Sequence, residues 1–245
     1  MDGIGRKLGR VIFGKMLPRR PYRVLIGPLR GARFVLGSMA GEGGGATVYF
    51  NKVESEQTAA IQRELSPGKT FFDLGANVGY YSILASRLVG RGGHVAAFEP
   101  VVRNLSFLQR HIELNDAENV QVLPFAVSSE AGILSFSTGS NSGMGSLDFD
   151  GGNGKMLVPT VTLDEIAERL KLTPDVLKID VEGAEVEVFR GATRILNTAR
   201  PTIFLSTHST DLREQCLAHL RDTGYTVESL LDSDDPHEFL AKYLE

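Results

Sequence analysis

Thr70-Phe71-Phe72-Asp73-Leu74-Gly75-Ala76-Asn77-Val78-Gly79 decides the fold: a short apolar run reaches an aspartate and then turns through two glycines. Phe71 and Phe72 suit a buried strand, and Tyr81, Leu84, Ala85 and Leu88 recur at helical spacing directly afterwards. Strand, glycine turn and amphipathic helix therefore follow in order. That order sets Asp73 and the turn at the carboxyl end of a strand, where open α/β sheets bind ligands. Glycine there allows backbone angles closed to other residues and close approach of a ligand to the main chain.

Glycine spacing separates the ligands that use such turns. Dinucleotide binding wants G-x-G-x-x-G, but from Gly75 onward Asn77 and Tyr80 occupy the second and third glycine positions. The phosphate loop G-x-x-x-x-G-K-[ST] finds only a tail in Gly68-Lys69-Thr70. Arg63 stands where its first glycine belongs and the tripeptide precedes the strand, so Lys69 reads as a solvated loop residue. A nucleoside without phosphate remains, and its ribose needs an acceptor at the end of the next strand. His94 to Phe98 reads as that strand, ending at Glu99 and Pro100, with Asn104 one turn into a helix carrying Leu105, Leu108 and Ile112. An ionised carboxylate only accepts, so Glu99 is expected to take both ribose hydroxyl protons.

Asp73-Leu74-Gly75-Ala76-Asn77-Val78-Gly79-Tyr80-Tyr81-Ser82, then Phe98-Glu99-Pro100 and Asn104, then Lys178-Ile179-Asp180-Val181-Glu182-Gly183-Ala184-Glu185 resemble the FkbM family of S-adenosylmethionine-dependent methyltransferases. The similarity runs over roughly residues 48 to 231. It implies an α/β, Rossmann-like class I methyltransferase domain over 48–245, preceded by a basic helix and hairpin extension over 1–47. Its sheet would have seven strands, mostly parallel, with an antiparallel last strand, the final two forming the edge. The implied cofactor is S-adenosyl-L-methionine, contacted by Asp73, Gly75, Ala76, Asn77, Gly79, Tyr80, Ser82, Glu99, Pro100, Asn104 and Asp180. Phe125 and Ala126, just after the third strand, would line the adenine site. The implied reaction is O-methylation of a hydroxyl on a sugar, glycan or secondary metabolite. N-methylation of a small molecule and a noncatalytic adenosine-ligand binding module stay open as alternatives.

Methyl transfer from a sulfonium is a one-step displacement, so the protein chiefly aligns nucleophile, methyl and sulfur. A general base matters only for a poorly acidic hydroxyl. Val176, Leu177 and Ile179 make a buried strand ending at Asp180, with Glu182 two residues on. Asp180 would hold the cofactor's amino group or an acceptor hydroxyl, and Glu182 would orient or deprotonate the acceptor, or else cap the following helix. Glu185 and Glu187 read as solvated helix residues. His208 should emerge at the end of the strand Pro201 to Leu205, beside Asp180, as a candidate base. In the family that strand commonly ends with Glu, an apolar residue and His, whereas here Ser206, Thr207 and His208 stand there. The missing glutamate argues against a carboxylate-supported or metal-assisted mechanism; Asp180, Glu182 and His208 could still converge on a metal, but His94, His111, His219 and His237 show no H-E-x-x-H spacing, so no metal is assigned.

A chain of 245 residues with 42% hydrophobic residues supports one α/β domain with a short extension. The formal charge of −4 argues against general nucleic-acid binding and for a small-molecule or glycan acceptor. The lone Cys216 has no disulfide partner and reads as a packing thiol. No stretch approaches about eighteen apolar residues and the start lacks a signal-like apolar core, so a cytoplasmic location is expected. Arg6, Lys7, Arg10 and Lys15 beside Ile4, Leu8, Val11, Ile12 and Met16 form a basic amphipathic helix candidate, for packing on the domain, for a homodimer or for an anionic membrane surface. Tyr22 to Ile26 and Arg33 to Leu36 look like a hairpin, and Gly41 to Gly45 like a flexible or disordered loop. Ile133 to Asp150, rich in Gly and Ser, reads as a long loop and, through Gly143-Met144-Gly145-Ser146, as a substrate-side lid.

Overall fold

The computed structural model describes residues 18–39, 46–50, 53–138, 145–148 and 156–244. The basic segment up to residue 17, the glycine run Gly41 to Gly45 and the Gly143-Met144 half of the expected lid lie outside the described residues.

A hairpin of β1 (Pro21–Arg23) and antiparallel β2 (Arg33–Val35) leads through a 3-10 turn (Ala46–Phe50) to α1 (Ser55–Glu64). Then β3 (Thr70–Leu74), α2 (Tyr80–Val89), β4 (His94–Phe98), α3 (Val102–Leu114) and β5 (Val120–Leu123) alternate. A short excursion follows: β6 (Ala126–Val127), β7 (Gly132–Thr138), β8 (Gly145–Asp148) and β9 (Met156–Val161). Alternation resumes with α4 (Leu163–Leu170), β10 (Val176–Ile179), α5 (Glu185–Arg190), α6 (Thr193–Thr198), β11 (Thr202–Ser206) and α7 (Thr210–Asp222). Two strands end the described chain, β12 (Tyr225–Ser229) and β13 (Glu238–Tyr243).

The main sheet has seven strands in the order β12-β13-β11-β10-β3-β4-β5. Successive strands run outward from β3 through β4 to β5, and then the chain returns to place β10 and β11 on the opposite side. The reversal falls between β3 and β10, where the helices after the two strands part and leave a crevice at the carboxyl ends. All five residues of β3 and all four of β10 are buried, as expected for parallel strands covered on both faces. Two apolar cores flank the sheet. One contains Phe71, Ile83, Leu84 and the hairpin's Phe34; the other contains Phe72, Leu177, Val188, Phe189 and Cys216. Burial pushes the Cys216 thiol up to about 12, in keeping with a packing role.

The last two strands form the antiparallel edge, as anticipated, with β13 inserted between β11 and β12. One expectation is corrected. The Gly- and Ser-rich stretch after Ile133 is not one long loop. Leu134 and Phe136 alternate with Ser135 and Ser137 along β7, which pairs with β8 and β9 in a second, four-stranded sheet. Phe136 and Val158 pack there on Val101, Ala126 and Ala184, so this sheet builds one wall of the crevice.

The hairpin is tied to the glycine turn by one side chain. His111 on α3 accepts the Val35 N–H at Nε2 (3.0 Å) and, with its proton on Nδ1, donates to the Val78 carbonyl at 2.6 Å. Burial lowers the ring's pKa, against the pull of the Val78 hydrogen bond, which keeps the neutral form both contacts require. Phe34 lies against the same ring at 4.7 Å between centroids.

Candidate functional site

The turn after β3 is anchored to the end of the neighbouring strand: the N–H groups of Gly75 and Ala76 both donate to the Phe98 carbonyl, at 3.0 and 2.8 Å. Gly75 has φ +80°, and a Cβ there would sit 1.9 Å from the Asp180 carbonyl oxygen, so the turn and the end of β10 touch backbone to backbone. Asn77 also takes the left-handed region at φ 51°, which aims its N–H at Glu99 Oε2 (2.8 Å). The other oxygen of Glu99 accepts from the Val101 N–H at 2.8 Å. Glu99 thus clasps two loops, although the sequence presented it as free for a ligand. A carboxylate has about four lone-pair sites, and with Asn104 donating as well one position is left toward the crevice. Burial to 4% exposure pushes its pKa up to about 7, against the two backbone donors and Asn104.

A cleft opens above this turn, with about 600 Å³ of empty space counting its open mouth. Of the residues anticipated from sequence, Gly75, Asn77, Glu99, Pro100, Asn104, Phe125, Ala126, Asp180 and Glu182 line it. Phe98, Val101, Val127, Phe136 and Val181 complete the wall, Val127 and Phe136 coming from the second sheet, and none of the five was assigned to the site from sequence. Asp73, Ala76, Gly79, Tyr80 and Ser82 stand behind the lining. Asp73 is buried and accepts from Ser82 Oγ at 2.6 Å; Gly79 abuts Leu108; Ala76 packs with Ala97 and Leu108; Tyr80 lies edge-on to Tyr81. Burial raises the Asp73 pKa, opposed by Lys178 and the Ser82 hydroxyl.

Lys178 was not anticipated. It is the cross-strand partner of Asp73 between β10 and β3, its side chain is 2% exposed, and its ammonium binds Asp180 Oδ2 at 3.0 Å over the Tyr81 ring. Burial works against its charge, but Asp180, Asp73 and Glu54 outweigh it and raise the pKa. Asp180 is correspondingly held well below the usual carboxylate range, with Lys178 and then His208 overcoming its burial.

His208 follows β11 and precedes Ser209, whose hydroxyl caps α7 by accepting from the Leu212 N–H. Its Nδ1 meets Glu185 Oε1 at 2.7 Å, while Nε2 lies 3.4 Å from both Asp180 Oδ1 and Glu182 Oε2. Glu185 is 0% exposed, not solvated as its charge suggested, and supplies the carboxylate support that Ser206 lacks. The signal was present: Glu185, Val188 and Phe189 share one helical face at i, i+3, i+4, and all three are buried. Glu187, on the outer face, pairs with Arg190. No side chain caps α5 by a hydrogen bond, and the Gly183 N–H donates to Glu185 Oε1. Its pKa is raised by burial, against His208. Burial alone would lower the His208 pKa, but Asp180, Glu185 and Glu182 raise it to about 10.

A mostly parallel sheet with its last strand antiparallel, a glycine turn after β3 and acids just after the two strands that flank β3, Glu99 after β4 and Asp180 after β10, define a class I S-adenosylmethionine-dependent methyltransferase. The chain belongs to the methyltransferase FkbM domain family, whose model matches residues 73–240. The hexuronic acid methyltransferase AglP of Haloferax volcanii is 29% identical over 148 residues, 59% of this chain and 59% of that relative, so the match spans well under two thirds of the relative's length. Among solved structures, the precorrin-6y C5,15-methyltransferase of Geobacter metallireducens GS-15 shares the fold with TM-score 0.52 and 19% identity, over 78% of this chain and 88% of that one. The methyltransferase FkbM of Methylobacillus flagellatus KT does so with TM-score 0.51 and 20% identity, over 81% and 54%. Among the described residues, no helix is long and apolar enough to cross a membrane.

Proposed function

We propose that the domain transfers a methyl group from S-adenosylmethionine to a hydroxyl of a sugar or uronic acid. The carrying observation is the cluster at one end of the cleft, where buried Glu185 orients His208 toward Asp180 and Glu182. Carboxylate acceptors converging on one point suit a ligand rich in hydroxyl donors. The AglP relative, named for a hexuronic acid, supports a sugar acceptor.

Residues on the donor side fit the cofactor. Glu99, already bound by two backbone donors and Asn104, keeps an accepting position for the ribose, and the buried Oδ1 of Asn77 has no donor among the described residues. Phe125 and Ala126 flank the adenine, and Asp180 accepts from the amino group. Bound S-adenosylmethionine supplies an electrophilic methyl group on a sulfonium. Held as an imidazolium by its carboxylates, His208 is not the group that accepts a proton at neutral pH. Glu182, which lines the cleft, receives the acceptor hydroxyl, and His208 positions Glu182 and Asp180.

Glu99 makes the donor side testable by pH. A folded-state pKa near 7, above the ordinary carboxylate value, means that the ligand-free protein keeps this proton until the pH passes about 7, and the stability gained from keeping it is lost as the pH rises through that value. Ribose donors favour the ionised form, so cofactor affinity should fall toward tenfold per unit as the pH drops below about 7. Glu99→Gln should flatten that profile in calorimetry and weaken binding about 10- to 100-fold, the loss of hydrogen bonds to a charged group. An unchanged profile in the variant would exclude Glu99 as the ribose acceptor.

The acceptor is tested by incubating the chain with S-adenosylmethionine and a panel of hexoses, hexuronic acids and amino sugars. S-adenosylhomocysteine should form with hydroxyl-bearing sugars, and the new methyl group should survive alkali, as an ether does. Transfer confined to amines, an alkali-labile ester, or cofactor binding with no transfer would overturn the hydroxyl assignment.

A further inference from the structure

We propose that Asp180, Glu182 and His208 form a divalent-cation site at the acceptor end of the cleft, suited to ions such as Mn²⁺ that accept mixed nitrogen and oxygen ligands. One ligand atom from each residue lies within 4.8 Å of the others. The two 3.4 Å separations from His208 Nε2 are too long for a well-formed N–H···O bond, which centres on about 2.9–3.0 Å. They match ligands that share an ion. With metal–ligand bonds of about 2.1 Å, adjacent ligands lie about 3.0 Å apart in an octahedral sphere and about 3.4 Å apart in a tetrahedral one.

Glu185 is the independent second observation. It is wholly buried, accepts from His208 Nδ1 at 2.7 Å, and its Oε2 has no partner among the described residues. A carboxylate placed there keeps a proton on Nδ1 and directs Nε2 outward, the arrangement behind most metal-binding histidines. A bound cation would replace the proton that the ion-free imidazolium carries on Nε2, and Nε2 and the two carboxylate oxygens would then face the ion together. Asp180 Oδ2 is already engaged by Lys178, which leaves Oδ1 for the ion. Imidazole favours Zn²⁺, Fe²⁺ and Cu²⁺ and carboxylate favours Mg²⁺ and Mn²⁺, so a set of one nitrogen and two oxygens falls between them.

Three protein ligands leave positions open toward the cleft. Two neighbouring acceptor oxygens, a vicinal diol or a hydroxyl beside a carboxylate, would chelate there, and the ion would offset the repulsion between an anionic sugar and the surrounding acids. This last step rests on the acceptor proposed above; the ion site does not.

The test uses the full chain stripped by chelator and titrated with Mn²⁺ by electron paramagnetic resonance, with Mg²⁺, Ca²⁺ and Zn²⁺ as competitors. One saturable Mn²⁺ per chain is expected. Glu182→Gln and His208→Ala should each weaken it at least about tenfold, and Glu185→Gln about 10- to 100-fold, the range for loss of a carboxylate behind a ligand. S-adenosylmethionine binding and the unfolding midpoint, measured on each variant, identify any that fail to fold. No saturable ion, or equal affinity in wild type and the folded variants, overturns the site. Full methyl transfer by metal-free protein overturns its role in the reaction and leaves the sugar acceptor standing; Mn²⁺ bound as described with no sugar methylated upholds the site and removes the acceptor.

Discussion

Gly75→Ala is expected to destabilise the domain by about 3 kcal/mol and to disable the turn proposed to hold the cofactor. Two costs add. A non-glycine residue at φ +80° is disfavoured by about 1–2 kcal/mol, and overpacking in a closed site costs about 1–3 kcal/mol more. The second is hard to relieve, because the added carbon would lie 1.9 Å from a backbone carbonyl and not from a flexible side chain. The end of β10 must move away, which strains the bond from the Asp180 N–H to the Leu74 carbonyl (3.0 Å) and displaces Asp180 itself. A shift near 1 Å costs on the order of 100-fold in rate. Denaturant unfolding and turnover at saturating cofactor measure the two effects. A variant with the wild-type midpoint and normal turnover would show that the contact between turn and strand is dispensable. Gly68, also at positive φ but with open space where its Cβ would be, is the control for backbone strain alone.

Lys178→Met is expected to cost about 3–5 kcal/mol, the penalty for removing one partner of a buried ion pair. Methionine fills nearly the same volume, so the loss is electrostatic. Without the ammonium, Asp73 and Asp180 face each other across adjacent strands with Ser82 and His208 as their remaining partners. Asp73 already carries an oxygen with no donor among the described residues, and it has the least to fall back on. Adding Asp73→Asn to the Met variant should therefore recover part of the stability, because the uncompensated charge disappears. Thermal unfolding of the single and double variants decides it. Additive losses would mean that Lys178 and Asp73 do not act as a pair.

Local chemistry was the part of this molecule most open to reading in one dimension. The strand, turn and helix around Gly75 announce themselves through apolar period and glycine placement, and Glu99 follows because the next strand stops at Pro100. What stayed hidden depends on partners distant in sequence. Nothing in Glu238 to Tyr243 says that this strand slips between two others, because period shows which face is buried and not which neighbour is paired. The second sheet was masked by Gly and Ser, although the alternation of Leu134 and Phe136 with Ser135 and Ser137 was there to be counted. Lys178 and Glu185 were obscured by their own charge. A lysine in a strand otherwise apolar, and a glutamate in register with Val188 and Phe189, had to be inside, each matched by a partner that only the fold supplies.

His111 has a mechanical meaning beyond its packing. One neutral ring fastens β2 at Val35 and the glycine turn at Val78 by two direct hydrogen bonds. The two bonds use opposite nitrogens of a flat, rigid group, so the positions of hairpin and turn are coupled through one ring. The hairpin is thereby a brace whose stiffness sets how sharply the glycine turn is held when a ligand presses against it.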